Sequence, residues 1–173
     1  MERTTTLTNR PNILFIMADQ MKWSVLRMYS EYGVETPALE KLAADLGICE
    51  DVHFVGFSPS PVDYVARANA FVLTSRFEGF PNVVAEALAL GKTVVATDAP
   101  GGSAEILAGG AYGYLAPVGD RAAIAVLMLK AINEPLDPER LRSRAIEFAT
   151  STIARRYDAL FARAIELKAA GRR

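Results

Sequence analysis

The sequence predicts an α/β fold, a Rossmann-like three-layer domain with a mostly parallel, doubly wound sheet. Short apolar segments alternate with helical patterns along the chain, which is typical of βαβ units. Segments such as 70–75 (AFVLTS) and 93–98 (TVVATD) lack polar alternation, which indicates strands covered on both faces of a parallel sheet. With 173 residues, 51% of them hydrophobic, the chain can bury a substantial core.

The first part of the chain predicts a tail, a strand and two helices. Residues 1–10 are polar and Thr-rich, so we expect a flexible tail. Residues 12–18 (NILFIMA) predict a buried strand, because the run is too short to span a membrane and no small-residue cleavage site follows it. Residues 21–32 fit a helix, and Pro37 opens a second helix that ends at Gly47.

From residue 51 onward, strands and helices alternate regularly. The predicted strands are residues 51–57, 70–75, 93–98 and 112–117. The predicted helical segments are residues 62–68, 83–90, the Gly-rich stretch PGGSAEIL, and residues 121–132, 138–149 and 151–169. Because ligands bind at the carboxyl ends of strands in such sheets, the loops after Thr74, Thr97 and Pro117 are the candidate functional loops.

Composition and charge narrow the classes of partner. The formal net charge of -1 gives no electrostatic reason to expect nucleic acid or an anionic membrane as partner. Cys49 is the only cysteine, which rules out a disulfide within the chain and a cysteine-based metal site. His53 is the only histidine, so mechanisms that need a pair of histidines are excluded. We therefore expect a cytoplasmic protein that binds no nucleic acid.

The stretch 75–91, SRFEGFPNVVAEALALG, carries the candidate site. Glu78 follows a strand at the ligand-facing edge of the sheet, and Gly79 lets a ligand approach the backbone closely. Phe80 and Pro81 complete a turn, and Pro81 suits the first turn of the following helix. The free N–H groups at that helix end favour an anion without any basic side chain.

Asn82 and Glu86 are four residues apart and share one helix face, which can look back toward Glu78. Carboxylates accept hydrogen bonds from sugar hydroxyls, and the helix end suits a phosphate, so the pattern indicates a nucleotide-sugar. An alternative stays open, in which Glu86 occupies a solvent-exposed strip and Glu78 is an ordinary loop charge. Gly101 and Gly102 could line the same pocket, although such pairs also occur simply as turns.

Three stretches carry a resemblance to a known family. They are LEKLAADLGICEDVHFVGF, ANAFVLTSRFEGFPNVVAEALALGKTVVATDAPGGSAEIL and YGYLAPVGD. Over about residues 39–165 the chain resembles the donor-binding, C-terminal half of family-4 retaining glycosyltransferases, which have two Rossmann-like domains. The element from Glu78 to Glu86 matches the Glu-x7-Glu signature of that family.

The resemblance implies roles for the site residues. Glu78 would be the catalytic-site residue and would contact hydroxyls of the transferred sugar. The backbone and side chains of residues 79–82 would contact sugar and diphosphate, and Glu86 would hold the ribose hydroxyls. The implied donor is a nucleoside-diphosphate sugar, with no cofactor and no metal, and the acceptor is unknown.

The beginning of the chain departs from this family. The Arg-Leu-x-x-x-Lys-Gly pattern of the first donor-site unit is absent. Residues 10–44, with RPNILFIMADQ and TPALEKLA, resemble instead the start of a sulfatase of the alkaline-phosphatase-like superfamily, in which Asp19 would bind a divalent metal. Cys49 lacks the Cys-x-Pro-x-Arg context of the sulfatase nucleophile, and one carboxylate holds a hard cation poorly.

These observations suggest a chimera of three parts. Residues 1–10 form a flexible tail, residues 11–44 a sulfatase-like strand and helices that complete the sheet, and residues 45–173 the donor-binding domain. Such a chain would be weak or inactive alone, because the acceptor domain and the first donor-site unit are missing, and a partner chain could supply the acceptor domain. One alternative is a non-catalytic scaffold that forms a homodimer through exposed apolar helices, and another is a sulfatase-like metal-dependent hydrolase.

Overall fold

The structure, a computed structural model, describes residues 14–17, 37–53, 58–169 and 171. The described residues belong to two compact units. The larger unit contains the first strand and the chain from Val62 onward, and the smaller unit lies between them in sequence.

Four strands and seven α-helices are present in the described ranges. The strands are β1 (Leu14–Met17), β2 (Ala70–Leu73), β3 (Thr93–Thr97) and β4 (Tyr114–Ala116). The helices are α1 (Pro37–Asp45), α2 (Pro61–Arg67), α3 (Asn82–Ala89), α4 (Ser103–Ile106), α5 (Arg121–Asn133), α6 (Pro138–Ile146) and α7 (Thr150–Ala169), with a short 3₁₀ turn at Ala108–Gly110.

The four strands form one sheet in the order β1-β2-β3-β4, and every neighbouring pair is parallel. Leu14 pairs with Ala70, and Ala70 in turn pairs with Thr93. The parallel sheet predicted from the uninterrupted apolar runs is therefore confirmed. All four carboxyl ends lie at one edge, where the loops after β2 and β3 meet.

Helices cover both faces of this sheet, as the prediction of three layers requires. Phe71 and Leu73 of β2 pack on one face into a core shared with α3, α4 and α6. Ala70 and Val72, which alternate with them, pack on the other face against α5. All residues of β2 and β3 are buried, which is what strands covered on both faces require.

Side-chain hydrogen bonds stabilise the start of α5 and attach the connection between α5 and α6 to the sheet. Asp120 Oδ1 accepts a hydrogen bond from the Ala123 N–H at 2.9 Å at the start of α5, as expected of an N-cap aspartate. The N–H of Leu136, in the connection to α6, donates to Thr93 Oγ1 at 2.9 Å. This bond attaches the connection to the first residue of β3.

The smaller unit contains α1 and the chain that follows it. Lys41 Nζ lies 2.9 Å from Asp45 Oδ2 along the exposed side of α1. Gly47 has a φ of 67°, so the helix ends at the left-handed glycine that the sequence predicts for it.

Several predicted elements differ from the structure or lie outside it. Residues 51–53 are not in a strand, so the described part of the predicted strand 51–57 is wrong; the rest of it, at 54–57, lies outside the described residues. The predicted tail at 1–10 and helix at 21–32 also lie outside them. The strand predicted at 12–18 is confirmed over Leu14–Met17.

Candidate functional site

The loops after β2 and β3 are joined by three hydrogen bonds at the carboxyl edge of the sheet. The Glu78 N–H donates to the Pro100 carbonyl at 3.1 Å, and the Gly102 N–H donates to the Gly79 carbonyl at 2.7 Å. Nearer the sheet, the buried Thr97 hydroxyl donates to the carbonyl of Ser75. The two loops therefore form a single surface, and we call residues 78–81 of this surface the donor loop.

Gly101 and Gly102 make this close approach sterically feasible. A Cβ atom on Gly101 would lie 1.8 Å from the Glu78 carbonyl oxygen, and Gly101 has a φ of 130°, which side-chain-bearing residues rarely adopt. A Cβ on Gly102 would lie 3.0 Å from the Gly79 carbonyl oxygen. The structure thus brings the predicted pair Gly101 and Gly102 against the predicted residues Glu78 and Gly79.

Within the donor loop, Glu78 and Gly79 occupy different environments. The Glu78 residue is only 8% exposed, so it is not a fully solvated loop charge. Gly79 is exposed, and the position of a Cβ on it has no atom within 4 Å. Open space beside its backbone is what close approach of a ligand requires.

Helix α3 presents Asn82 and Glu86 on its exposed face, while Val84, Ala87 and Leu88 are fully buried. The predicted sharing of one face is therefore confirmed. Pro81 is the N-cap residue and supplies no side-chain hydrogen bond to the helix. In the first turn of α3 the Val84 N–H already donates to the Pro81 carbonyl at 2.9 Å, so the N–H groups of Asn82 and Val83 are the ones that can receive an anion. The exposure of Glu86 fits a ligand contact and also fits a solvent-facing strip.

Phe80 contacts Phe148, which in turn contacts Arg144, and neither of these two residues was identified from the sequence. Its ring centroid lies 5.5 Å from that of Phe148, just after α6, with the ring planes at 59°. The guanidinium carbon of Arg144 lies 4.8 Å from the Phe148 centroid. Neither residue belongs to a motif with the donor loop, and only the packing of α6 beside α3 brings them near it.

Two buried hydroxyls lie along the same edge. Ser75 follows β2 and Ser103 begins α4, and the Oγ atom of each is buried without a hydrogen-bond partner among the described residues. Buried hydroxyl groups are usually hydrogen-bonded. This edge of the sheet therefore has two hydroxyl groups that make no hydrogen bond to the described part of the protein.

Within the described ranges, no group of three or more His, Cys, Asp or Glu side chains is placed to hold a metal ion. Asp19, the predicted metal ligand of the sulfatase interpretation, lies outside these ranges. Cys49 and His53 are both exposed. In the part of the chain that the structure covers, no helix is both long and apolar enough to cross a membrane.

Comparison with protein families gives one match. The model of the family described as Glycosyl transferases group 1 matches residues 4–149. This range includes residues 10–44, for which the sequence suggests a sulfatase-like origin; that origin and the chimeric boundaries stay predictions.

Two bacterial relatives align with most of this chain. The N-acetylgalactosamine-N,N'-diacetylbacillosaminyl-diphospho-undecaprenol 4-alpha-N-acetylgalactosaminyltransferase of Campylobacter jejuni is 32% identical over 126 residues, which are 73% of this chain and 33% of the relative. The lipopolysaccharide core biosynthesis glycosyltransferase LpsE of Rhizobium meliloti is 31% identical over 121 residues, 70% of this chain and 34% of the relative. The chain therefore spans about a third of the length of these curated relatives.

Solved structures share the fold. The apo form of the lipopolysaccharide outer core galactosyltransferase WaaB superposes with a TM-score of 0.70 at 18% identity, covering 91% of this chain and 51% of that one. HepE of Anabaena, solved in complex with UDP, superposes with a TM-score of 0.64 at 24% identity, covering 87% of this chain and 40% of that one. These likenesses confirm a Rossmann-like α/β domain.

Proposed function

Since the chain belongs to the group 1 glycosyl transferases, we propose that it is the donor-binding half of a retaining, family-4 type glycosyltransferase that takes a nucleoside-diphosphate sugar. One observation carries the proposal most directly. The joined loops place buried Glu78 and open Gly79 immediately before the free N-terminal end of α3. A carboxylate beside an anion-binding helix end suits a ligand that has both hydroxyls and phosphates.

Each part of the donor has a matching part of the site. The diphosphate lies at the N-terminus of α3, where the N–H groups of Asn82 and Val83 can donate to it, beside the turn at Gly101 and Gly102. The transferred sugar places its hydroxyls on the carboxylate of Glu78. The ribose hydroxyls reach Glu86, one turn further along the exposed face of α3.

The chemistry asked of the protein is stabilisation of the leaving group. As the bond to the anomeric carbon breaks, negative charge grows on the diphosphate, and fixed N–H dipoles stabilise that charge. The hydrogen bonds from Glu78 to Pro100 and from Gly102 to Gly79 hold the loop that leads into this helix end in place before the donor arrives. A site built in this way uses no metal and no cofactor.

The acceptor domain is proposed to come from outside this sequence. The chain matches about a third of the length of its glycosyltransferase relatives. Alone, it is expected to bind the donor weakly and to transfer sugar poorly, because a donor-binding domain without an acceptor-binding domain orients only one of the two reactants.

Calorimetric titration with UDP, GDP, ADP and their common sugar conjugates, in the presence of EDTA, tests this function. One of these nucleotides should bind saturably, and Glu86→Gln should weaken that binding about 10- to 100-fold, because hydrogen bonds to a charged carboxylate are lost. Glu166→Gln, which neutralises another exposed glutamate on α7, should leave the affinity unchanged. Absence of binding by every nucleotide, or equal effects of both substitutions, would contradict the proposal.

A second candidate function is self-association of a non-catalytic scaffold. Helix α7 contains no buried residue. Its large apolar side chains Tyr157, Leu160, Phe161 and Ile165 are each 55–69% exposed, at a spacing that places them on one side of the helix. A stripe of this kind is typical of a surface that is covered by another chain, and a second copy would give a homodimer.

A further inference from the structure

We propose that Arg144 and Phe148, at the end of α6, are positioning residues for the donor loop. The expected effect of these two residues on donor binding rests on the proposed function. Their expected effect on the donor loop rests only on the contacts described below. Phe80, in the middle of the donor loop, is the residue through which α6 reaches the site.

The ring of Phe80 lies against two different parts of the molecule. A Cβ on Gly102 would be 3.2 Å from Phe80 Cδ2, so the ring lies directly on the glycine backbone. The Phe80 and Phe148 centroids are 5.5 Å apart with planes tilted by 59°, which is the tilted arrangement that aromatic pairs prefer. Phe80 itself remains 45% exposed, so burial alone does not fix its ring.

Arg144 packs on the ring of Phe148 and is itself held by several contacts. Its guanidinium carbon lies 4.8 Å from the Phe148 centroid and 5.4 Å from the Tyr112 centroid. Its Nη1 lies 2.7 Å from Glu147 Oε2, and its side chain is only 14% exposed. An arginine between two rings and a carboxylate has few other rotamers available.

The same arginine also fixes the helix that follows the glycine pair. Arg144 Nε donates to the Ile106 carbonyl at 2.9 Å, and Nη2 donates to the Glu105 carbonyl at 2.6 Å. Both carbonyls belong to the last turn of α4, which begins one residue after Gly102. A cation that hydrogen-bonds the last carbonyls of a helix stabilises that end.

Arg144 is therefore connected to the donor loop by two routes. One route runs through Phe148 to Phe80, and the other runs through α4 to Gly102, whose N–H holds the Gly79 carbonyl. Both routes end where the loop after β2 contacts the loop after β3. Substitution of Arg144 or Phe148 should therefore change the conformation of the donor loop. If the two residues served only the packing of α6, their substitution would change only the stability of that helix.

Amide NMR spectra of the nucleotide-free chain test the effect on the loop. Phe148→Ala should shift the resonances of Gly79, Phe80, Asn82, Gly101 and Gly102. Phe148→Tyr, which keeps the ring, should restore the wild-type positions. Phe161→Ala removes one ring of the exposed Tyr157–Phe161 pair on α7, whose centroids are 6.0 Å apart, and should leave all five resonances in place.

Titration with UDP then tests the effect on the donor. Phe148→Ala should weaken binding about 3- to 10-fold, which corresponds to the loss of one aromatic pair, and Phe148→Tyr should restore it. Arg144→Lys, which keeps the charge but loses the paired donors, should shift the same loop amides. If Phe148→Ala does not fold, Phe148→Leu takes its place in both measurements.

The outcomes separate this inference from the proposed function. Unmoved loop amides in Phe148→Ala, or a Phe148→Tyr spectrum that resembles that of the alanine variant, overturn the positioning role. A wild-type chain that binds no UDP counts against the proposed function, while the shifts in the nucleotide-free spectra still decide the positioning role.

Discussion

Gly101 is the residue on which the geometry of the site depends most directly. Its φ is 130°, and a Cβ atom on it would lie only 1.8 Å from the Glu78 carbonyl oxygen, which leaves room only for hydrogen. Gly79, in the donor loop, is the contrasting case, because nothing lies within 4 Å of the same position on it. The two glycines therefore have different tasks: one permits the loops to meet, and the other leaves space for a ligand.

Gly101→Ala should destabilise the fold by about 1–3 kcal/mol, the usual cost of an unfavourable backbone conformation, and by more if the loops cannot separate. Urea unfolding followed by circular dichroism measures the change. Gly79→Ala is the matched control and should stay within about 0.5 kcal/mol of the wild type. Equal stabilities for the two alanine variants would show that the loop contact does not constrain Gly101.

Residues of the site were predictable from sequence where they are close neighbours along the chain. Glu78, Asn82 and Glu86 follow from a strand end, a turn and a helical repeat, all within one short stretch. Arg144 and Phe148 were not predictable, because their contacts with α4 and Phe80 arise only when α6 packs beside α3. Sequence spacing carries no information about such contacts.

Among the elements, β3 is fixed at both ends by threonine hydroxyls. Thr97 donates to the Ser75 carbonyl at the carboxyl end, and Thr93 accepts from the Leu136 N–H at the amino end. The first bond supports the donor site, and the second supports the connection that leads into α6. Both threonines are almost fully buried; the Thr97 bond is buried, and the Thr93 bond is partly buried because Leu136 is half-exposed.

Thr93→Val should destabilise the fold by about 1–3 kcal/mol, because valine keeps the shape but leaves the Leu136 N–H without its acceptor. Thermal and urea unfolding of the purified variant measure this change. Thr74→Val makes the same replacement at an exposed position just after β2 and should change stability by less than about 0.5 kcal/mol. A Thr93→Val variant as stable as the wild type would mean that the connection to α6 is held by packing alone.

The types of most elements were predictable, with the strand expected at residues 51–53 as an exception, whereas the end of β2 was set by its pairing. Residues 70–75 predict one strand from composition, yet β2 ends at Leu73, which forms the last pair with β3, at Ala96. The remaining residues, Thr74 and Ser75, become the start of the site loop instead. Strand pairing is a tertiary property, so the apolar run alone could not supply this boundary.

At the scale of the whole molecule, α7 is the feature that the larger unit leaves uncovered. It is the longest helix in the described part of the chain, and its stripe of Tyr157, Leu160, Phe161 and Ile165 remains mostly exposed there. The sequence predicts a helix over residues 151–169, but it does not identify what covers the apolar side of that helix.

A homodimer formed through α7 should give a mass that rises with concentration toward twice the monomer mass in light scattering. Leu160→Glu places a charge in the stripe and should keep the chain monomeric. Ala159→Glu adds the same charge on the far side of the helix and should behave as the wild type does. A wild-type chain that stays monomeric at every concentration rules this dimer out.

The donor diphosphate is proposed to lie where the joined loops meet the N-terminus of α3. The most direct test is an amide NMR titration of the wild-type chain with UDP in EDTA, repeated with Glu86→Gln. Saturable shifts are expected at residues 78–86 and at Gly101 and Gly102, with a higher midpoint concentration of UDP in the variant. Saturable shifts confined to other parts of the chain, or a titration that Glu86→Gln leaves unchanged, would contradict this placement.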